Sequence, residues 1–262
     1  MAIKWTILGG LIYVALLLHG FAALWLLLRF ERPGRVLFAL GSAVATAAVA
    51  VRWAQVGHAP MGNLFEIFLV MAALMGPLSA ACRRWGGVDG LAFDALLGAV
   101  LLVPAGFVLS AEPRPLSPAL QTWLFVPHVG AYLLGYVLLA KAAVQAAGCL
   151  GGVPATAGAA ARDIAARRMV GLALPPLTVG LVLGAVWGKR AWGDWWNWDP
   201  KELWSLATWL TIVFSLHLRA LTGGRRPRLA AAVVLVATVG AVITLSWANL
   251  SRLFAGLHSY AM

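Results

Sequence analysis

The sequence predicts an all-α membrane protein, a bundle of about eight transmembrane helices forming a single transmembrane domain over residues 1–262. Three observations lead there. Of the 262 residues, 62% are hydrophobic and 11% are charged, whereas a soluble domain carries roughly 45–50% apolar and about 25% charged residues. Apolar runs of about 20 residues recur along the chain, each able to cross about 30 Å of hydrocarbon. The runs are too long for barrel strands and lack their apolar–polar alternation.

The first run extends from Trp5 to Leu28, longer than a signal-peptide core, and ends at Arg29 without a small-residue cleavage site, so it is expected to remain as span 5–29. The second span is expected at 36–56 and the third at 63–82. Asn63 and Glu66 have capping-box spacing at the head of the third, and either start that helix or stand near a ligand. The fourth and fifth are expected at 91–110 and 123–147, followed by a Gly/Ala-rich connection around 148–161 with no sign of a site. The sixth is expected at 168–188, the seventh at 201–221 and the eighth at 229–248. Asp199 suits an N-cap, Pro200 the first helical position and Glu202 the third, which starts the seventh span.

The net charge of +11 is not a nucleic-acid signal, because the basic residues sit in small groups at the ends of apolar runs. Arg29, Arg32 and Arg35; Arg83 and Arg84; Arg162, Arg167 and Arg168; and Arg219, Arg225, Arg226 and Arg228 fall on alternate connections. The positive-inside rule puts these in the cytoplasm and both termini outside. The outer side then receives 57–62, 111–122, 189–200 and the C-terminal segment 249–262, with His58, His128 and His258 in or beside them. Cys82 and Cys149 are far apart and form no CxxC, so they read as small apolar residues without redox chemistry.

Of thirteen tryptophans, seven (Trp187, Trp192, Trp195, Trp196, Trp198, Trp204 and Trp209) fall in one short stretch. An interfacial belt accounts for one or two per helix end. A cluster this dense forms a rigid aromatic surface over an outer loop at about 187–204, suited to a planar apolar ligand.

The run WGDWWNWDPKELWSLATWL resembles the tryptophan-rich "WWD" signature of the haem-handling proteins of cytochrome c maturation, and its DPKE continuation resembles their CcsA/ResC branch. Weaker matches are GLHSYA around His258, GHAPMGNLFEIF around Asn63 and Glu66, and WLFVPHVGAYLLGY around His128. The resemblance implies that His128 and His258 ligate the iron of haem b from its two faces, with Trp192, Trp195, Trp196, Trp198, Trp204 and Asp199 around the porphyrin. It also implies a second haem within the membrane, ligated by His217 and by a residue of a CcsB/ResB-type partner. His19 is an in-chain alternative to that partner ligand, or a packed core histidine. Arg190, Lys189 and Lys201 could pair with haem propionates or be solvated; Arg52 and Arg114 carry the same ambiguity.

The implied activity is that of a holocytochrome c synthase component, working with its partner to add the two thiols of an apocytochrome c CxxCH segment across the haem vinyl groups. The implied location is the cytoplasmic membrane of a bacterium, or a thylakoid membrane if the protein is from a plastid. Other partners are the lipid bilayer and apocytochrome c, with no nucleic acid. Three further readings stay open: CcmC-type haem delivery to a chaperone, which the DPKE continuation and eight spans disfavour; a non-haem transporter, which calls for intramembrane acids or helix breaks at the midplane; and a structural or assembly subunit without haem.

Overall fold

The computed structural model describes residues 4–151 and 158–247. Among these residues no strand occurs, and eight helices are long and apolar enough to cross a membrane. They are α1 (Ile7–Leu27), α2 (Glu31–Val56), α3 (Leu64–Gly86), α4 (Leu91–Val103), α5 (Phe125–Leu150), α6 (Ala159–Trp192), α7 (Pro200–Leu221) and α8 (Pro227–Val242). α4 and α8 each run on into a π-helical turn, Pro104–Val108 and Ile243–Trp247. The protein is a multi-pass helical membrane protein, as its composition requires.

Most elements fall within a few residues of their expected positions. The sixth does not. α6 contains 34 residues and starts at Ala159, so Arg162 and Arg167, expected between spans, are helical. The alanine-rich stretch AAARDIAARR supplies strong helix formers and offers no breaker. At its other end nothing stops the helix before Gly193, which takes φ +92°, so Trp187 and Trp192 lie on α6 and the expected loop 187–204 shrinks to 193–199. At 1.5 Å per residue α6 is about 51 Å long, well beyond the hydrocarbon thickness. α2 likewise begins at Glu31 rather than 36, with Arg35 donating to Glu31 one turn back (3.2 Å).

The chain forms two compact units, Met1–Gln121 and Thr122–Met262. In the first, α1 packs on α2 and α4, and α3 packs on the same two helices. His19 is fully buried at this junction, its Nδ1 donating to Ala15 O (2.8 Å) and its edge against Phe38. Glycines make its slot: a Cβ on Gly41 would lie 2.7 Å, and on Gly98 2.5 Å, from the ring. His19 is a packed core histidine. Arg52 is neither solvated nor open to a ligand. It is fully buried, and its Nε donates to Glu66 Oε1 (2.9 Å), Nη1 to Ala111 O (2.7 Å) and Nη2 to Glu112 O (3.2 Å).

In the second unit α5 packs on α6 and α8, and α7 packs on α8 and α6. Both cysteines are buried and free of disulfides.

Candidate functional site

The loop between α6 and α7 is held at both ends by its own side chains. On the α6 side, Lys189 Nζ donates to Gly193 O (2.5 Å). On the α7 side, Asp199 accepts from Lys201 N (2.9 Å), while Glu202 Oε2 accepts from Asp199 N (3.2 Å) and Asn197 N (2.8 Å). This is the capping box that the sequence predicts. It occupies the Asp199 carboxylate with helix initiation, and the residue is 6% exposed.

Between these anchors the aromatic residues divide into buried and open ones. Trp187 is buried and stacks on Trp192, with centroids 6.1 Å apart. Trp196 and Trp198 meet edge to face at 6.2 Å. Trp195 and Trp198 are 59% and 68% exposed, although each has a large apolar area to hide. Trp198 adopts φ +58°, a left-handed conformation unfavourable for a bulky side chain. The loop also buries two donors, Trp196 Nε1 and Asn197 Nδ2, that have no partner among the described residues. An unmade buried hydrogen bond costs about 1–3 kcal/mol. A planar ligand carrying acceptor groups would suit both the bare indole faces and the idle donors. The haem of the family resemblance, with its porphyrin and carboxylates, has that chemistry.

His128, in the first turns of α5, belongs to the same unit. Its Nδ1 donates to Gly180 O on α6 (2.9 Å). This bond fixes the ring's orientation and, in a neutral ring, places the proton on Nδ1. The ring lies edge to face with Trp187 and with Tyr132, each at 5.2 Å. Tyr132 in turn stacks at a tilt on Tyr136, with centroids 5.5 Å apart. A stripe of glycines at intervals of four, Gly180, Gly184 and Gly188, admits the two rings: a Cβ on Gly184 would sit 2.8 Å from His128, and on Gly180 2.9 Å from Tyr132. The sequence reading missed this stripe, and with it the contact between His128 and Trp187. The signal was present as GLVLGAVWG, a small-xxx-small pattern of the kind that lets helices approach closely. Asn197 was also missed.

The remaining candidates are dispersed. Arg190 stacks over Trp123 at 5.3 Å, and Lys201 is half-buried beside Asp199. Trp204 is half-buried on α7, and Trp209 Nε1 donates to Thr178 Oγ1 of α6 (2.8 Å). His217 is exposed on α7, its Nδ1 donating to Val213 O (2.9 Å). It lies about 27 Å along the helix from Asp199 and shares no site with the loop. In the first unit, Asn63 and Glu66 cap α3, with Asn63 Oδ1 accepting from Glu66 N (3.1 Å) and Glu66 Oε2 from Gly62 N (2.8 Å). His58 donates to Ala59 O (3.0 Å). His258 and the segment 249–262 lie outside the described residues.

The family model "Cytochrome C assembly protein" matches residues 8–258. The chain belongs to that family. Among its relatives, the cytochrome c biogenesis protein CcsA of Synechococcus sp. (strain CC9605) is 32% identical, over 97% of this chain and 96% of that protein. The CcsA of Chlamydomonas reinhardtii is 29% identical, over 86% of this chain and 67% of that protein. A solved structure, "Cytochrome c Heme Lyase CcmF", matches with a TM-score of 0.71 at 23% identity. The match covers 94% of this chain and 48% of that longer one, and it shows a shared fold. This cytochrome c assembly protein is therefore of the CcsA type, with a role in cytochrome c maturation.

Proposed function

We infer that this CcsA-type protein holds haem b at the tryptophan loop of its second unit and presents it to apocytochrome c. The observation that carries the reading is the placement of His128: its Nδ1 donates to Gly180 O, and its ring edge meets Trp187 at the root of the loop. Trp195 and Trp198 offer bare indole faces, and Trp196 Nε1 and Asn197 Nδ2 are donors suited to haem carboxylates. Arg190, stacked on Trp123, and Lys201 supply positive charge nearby. The family resemblance makes His258 the opposite iron ligand.

The haem supplies two vinyl groups, and the chemistry is addition of the two CxxCH thiols across them. Each sulfur bonds one vinyl carbon while a proton goes to the other, so no external oxidant or reductant enters. The chain's own groups orient the porphyrin, hold its carboxylates and exclude water from its face. His217, exposed near the far end of α7, suits a second, intramembrane haem whose other ligand comes from a CcsB/ResB-type partner. The alternating arginine groups support an orientation with both termini and the tryptophan loop outside, in a bacterial cytoplasmic membrane or a thylakoid.

The test is an absorption spectrum of the purified protein, alone and with the partner. His128→Ala and His258→Ala are each expected to lose or alter outer-site haem, with partial recovery on adding imidazole; wild-type haem content and spectrum in both would remove the ligand assignment. Orientation is checked separately with Gly193→Cys and Gly224→Cys. An impermeant thiol reagent applied to intact cells should label the first and not the second.

A further inference from the structure

We propose that the end of the second unit opposite the tryptophan loop binds the phosphate group of an anionic lipid. Three helices meet there: the last turns of α5, the first turns of α6 with Arg162 and Asp163, and the last turns of α7 with Ser215 and Arg219. Arg219 is 7% exposed and pairs with Asp163 through Nη1. That leaves the opposite edge of its guanidinium, where Nε–H and Nη2–H point the same way as a fork for two oxygens of one oxyanion. Both nitrogens are buried, and among the described residues neither has a hydrogen-bond partner.

Two more atoms share that condition, Arg162 Nε and Ser215 Oγ. Ser215 stands one turn before Arg219 on the same helix face. The Arg162 guanidinium is pressed onto α5, where a Cβ on Gly148 would come within 2.2 Å of its Nη1; glycine there is what admits it. Two guanidinium groups against the one carboxylate of Asp163 leave the cluster with an excess of positive charge. A cation in the last turn complements the dipole of α7, which explains the charge of Arg219 but not an idle buried edge. Idle charged donors are costly, and the shared chemistry that satisfies them is a phosphate or carboxylate oxyanion. Arg219 stands two residues before the end of α7. A residue so near the end of a span lies at headgroup depth, where lipid phosphate is the abundant oxyanion.

The full chain, purified in detergent, is titrated with phosphatidylglycerol, phosphatidylcholine or inorganic phosphate, and binding is read by native mass spectrometry and thermal shift. Wild type is expected to retain phosphatidylglycerol about tenfold better than phosphatidylcholine. Arg219→Lys keeps the charge but loses the fork, and should abolish about a tenfold preference, the value of one charge-assisted hydrogen bond. Asp163→Asn leaves the fork and should keep the preference. Ser215→Ala and Arg162→Gln, which spare the Arg219–Asp163 pair, should each reduce it several-fold, so the test stands if Arg219→Lys does not purify. Equal retention of the two lipids by wild type overturns the proposal, as does an unchanged preference in Ser215→Ala and Arg162→Gln together. Protection by inorganic phosphate without a preference between lipids overturns the lipid as the source of the oxyanion.

Discussion

Two loops in this molecule start a helix with the same device and differ in everything else. At Asn63–Glu66 and at Asp199–Glu202 an Asx side chain caps the helix and a glutamate three residues on takes backbone N–H groups of the loop, closing a full capping box at Asp199 and reaching Gly62 N instead at Asn63. In the first unit the capping glutamate and its partner are fully used: Glu66 accepts from Gly62 N and from the buried Arg52, whose other nitrogens donate to Ala111 O and Glu112 O. In the second unit Glu202 accepts two backbone N–H groups in the same way, yet the loop keeps two buried donors idle, two tryptophans open to the outside and one of those at positive φ. A loop completed by its own chain is architecture. The tryptophan loop is left incomplete among the described residues, which is what the proposed haem site calls for.

The comparison breaks if stability and haem respond alike in the two loops. The largest effect on stability is expected at Arg52→Ala, which leaves Glu66 buried and unpaired and should cost about 3–5 kcal/mol; denaturant or thermal unfolding of the purified protein measures it. Asp199→Ala should cost about 0.5–2 kcal/mol by loss of the cap, while Asp199→Asn, which caps about as well, should cost little. Trp198→Gly removes the positive-φ strain and should stabilise the haem-free protein by about 1 kcal/mol, yet reduce haem retained per protein. Asn197→Ala should be the mildest, changing haem-free stability by less than about 1 kcal/mol because the deleted donor has no partner, again with lower haem retention. Haem loss without stability loss in the last two variants sharpens the contrast; stability loss without haem loss would make the tryptophan loop ordinary architecture.

The helices were legible because a bilayer imposes a length and a composition on each one. The N-cap at Asn63 and the capping box at Asp199 were legible because Asn63 and Asp199-Pro200 carry local backbone chemistry that needs no distant partner. What resisted was whatever depends on packing between helices. Arg52 read as a free outer charge, since nothing in the sequence ties it to Glu66 and to carbonyls near residue 111. His128 was found through its surrounding motif, but its orientation by Gly180 and Trp187 depends on the glycine stripe of α6, visible only once α5 is known to lie against it. α6 was cut short because its arginines were read as markers of a connection, when the alanines between them carry the helix onward.

The length of α6 has a mechanical side. Its two prolines, Pro175 and Pro176, fall at the midpoint of Ala159–Trp192 and deprive the carbonyls of Gly171 and Leu172 of their helical donors. The helix is thus a lever with its most compliant point at the centre, Arg162 near one tip and Trp192 at the other. With arms of about 25 Å, a bend of about 10° at that fulcrum carries either tip through about 4 Å. Thr178, which donates to Leu174 O (2.8 Å) and accepts from Trp209 Nε1 (2.8 Å), clamps the arm that leads to the tryptophans directly to α7. Any flexing of the lever therefore pulls on the helix that carries the far end of the tryptophan loop.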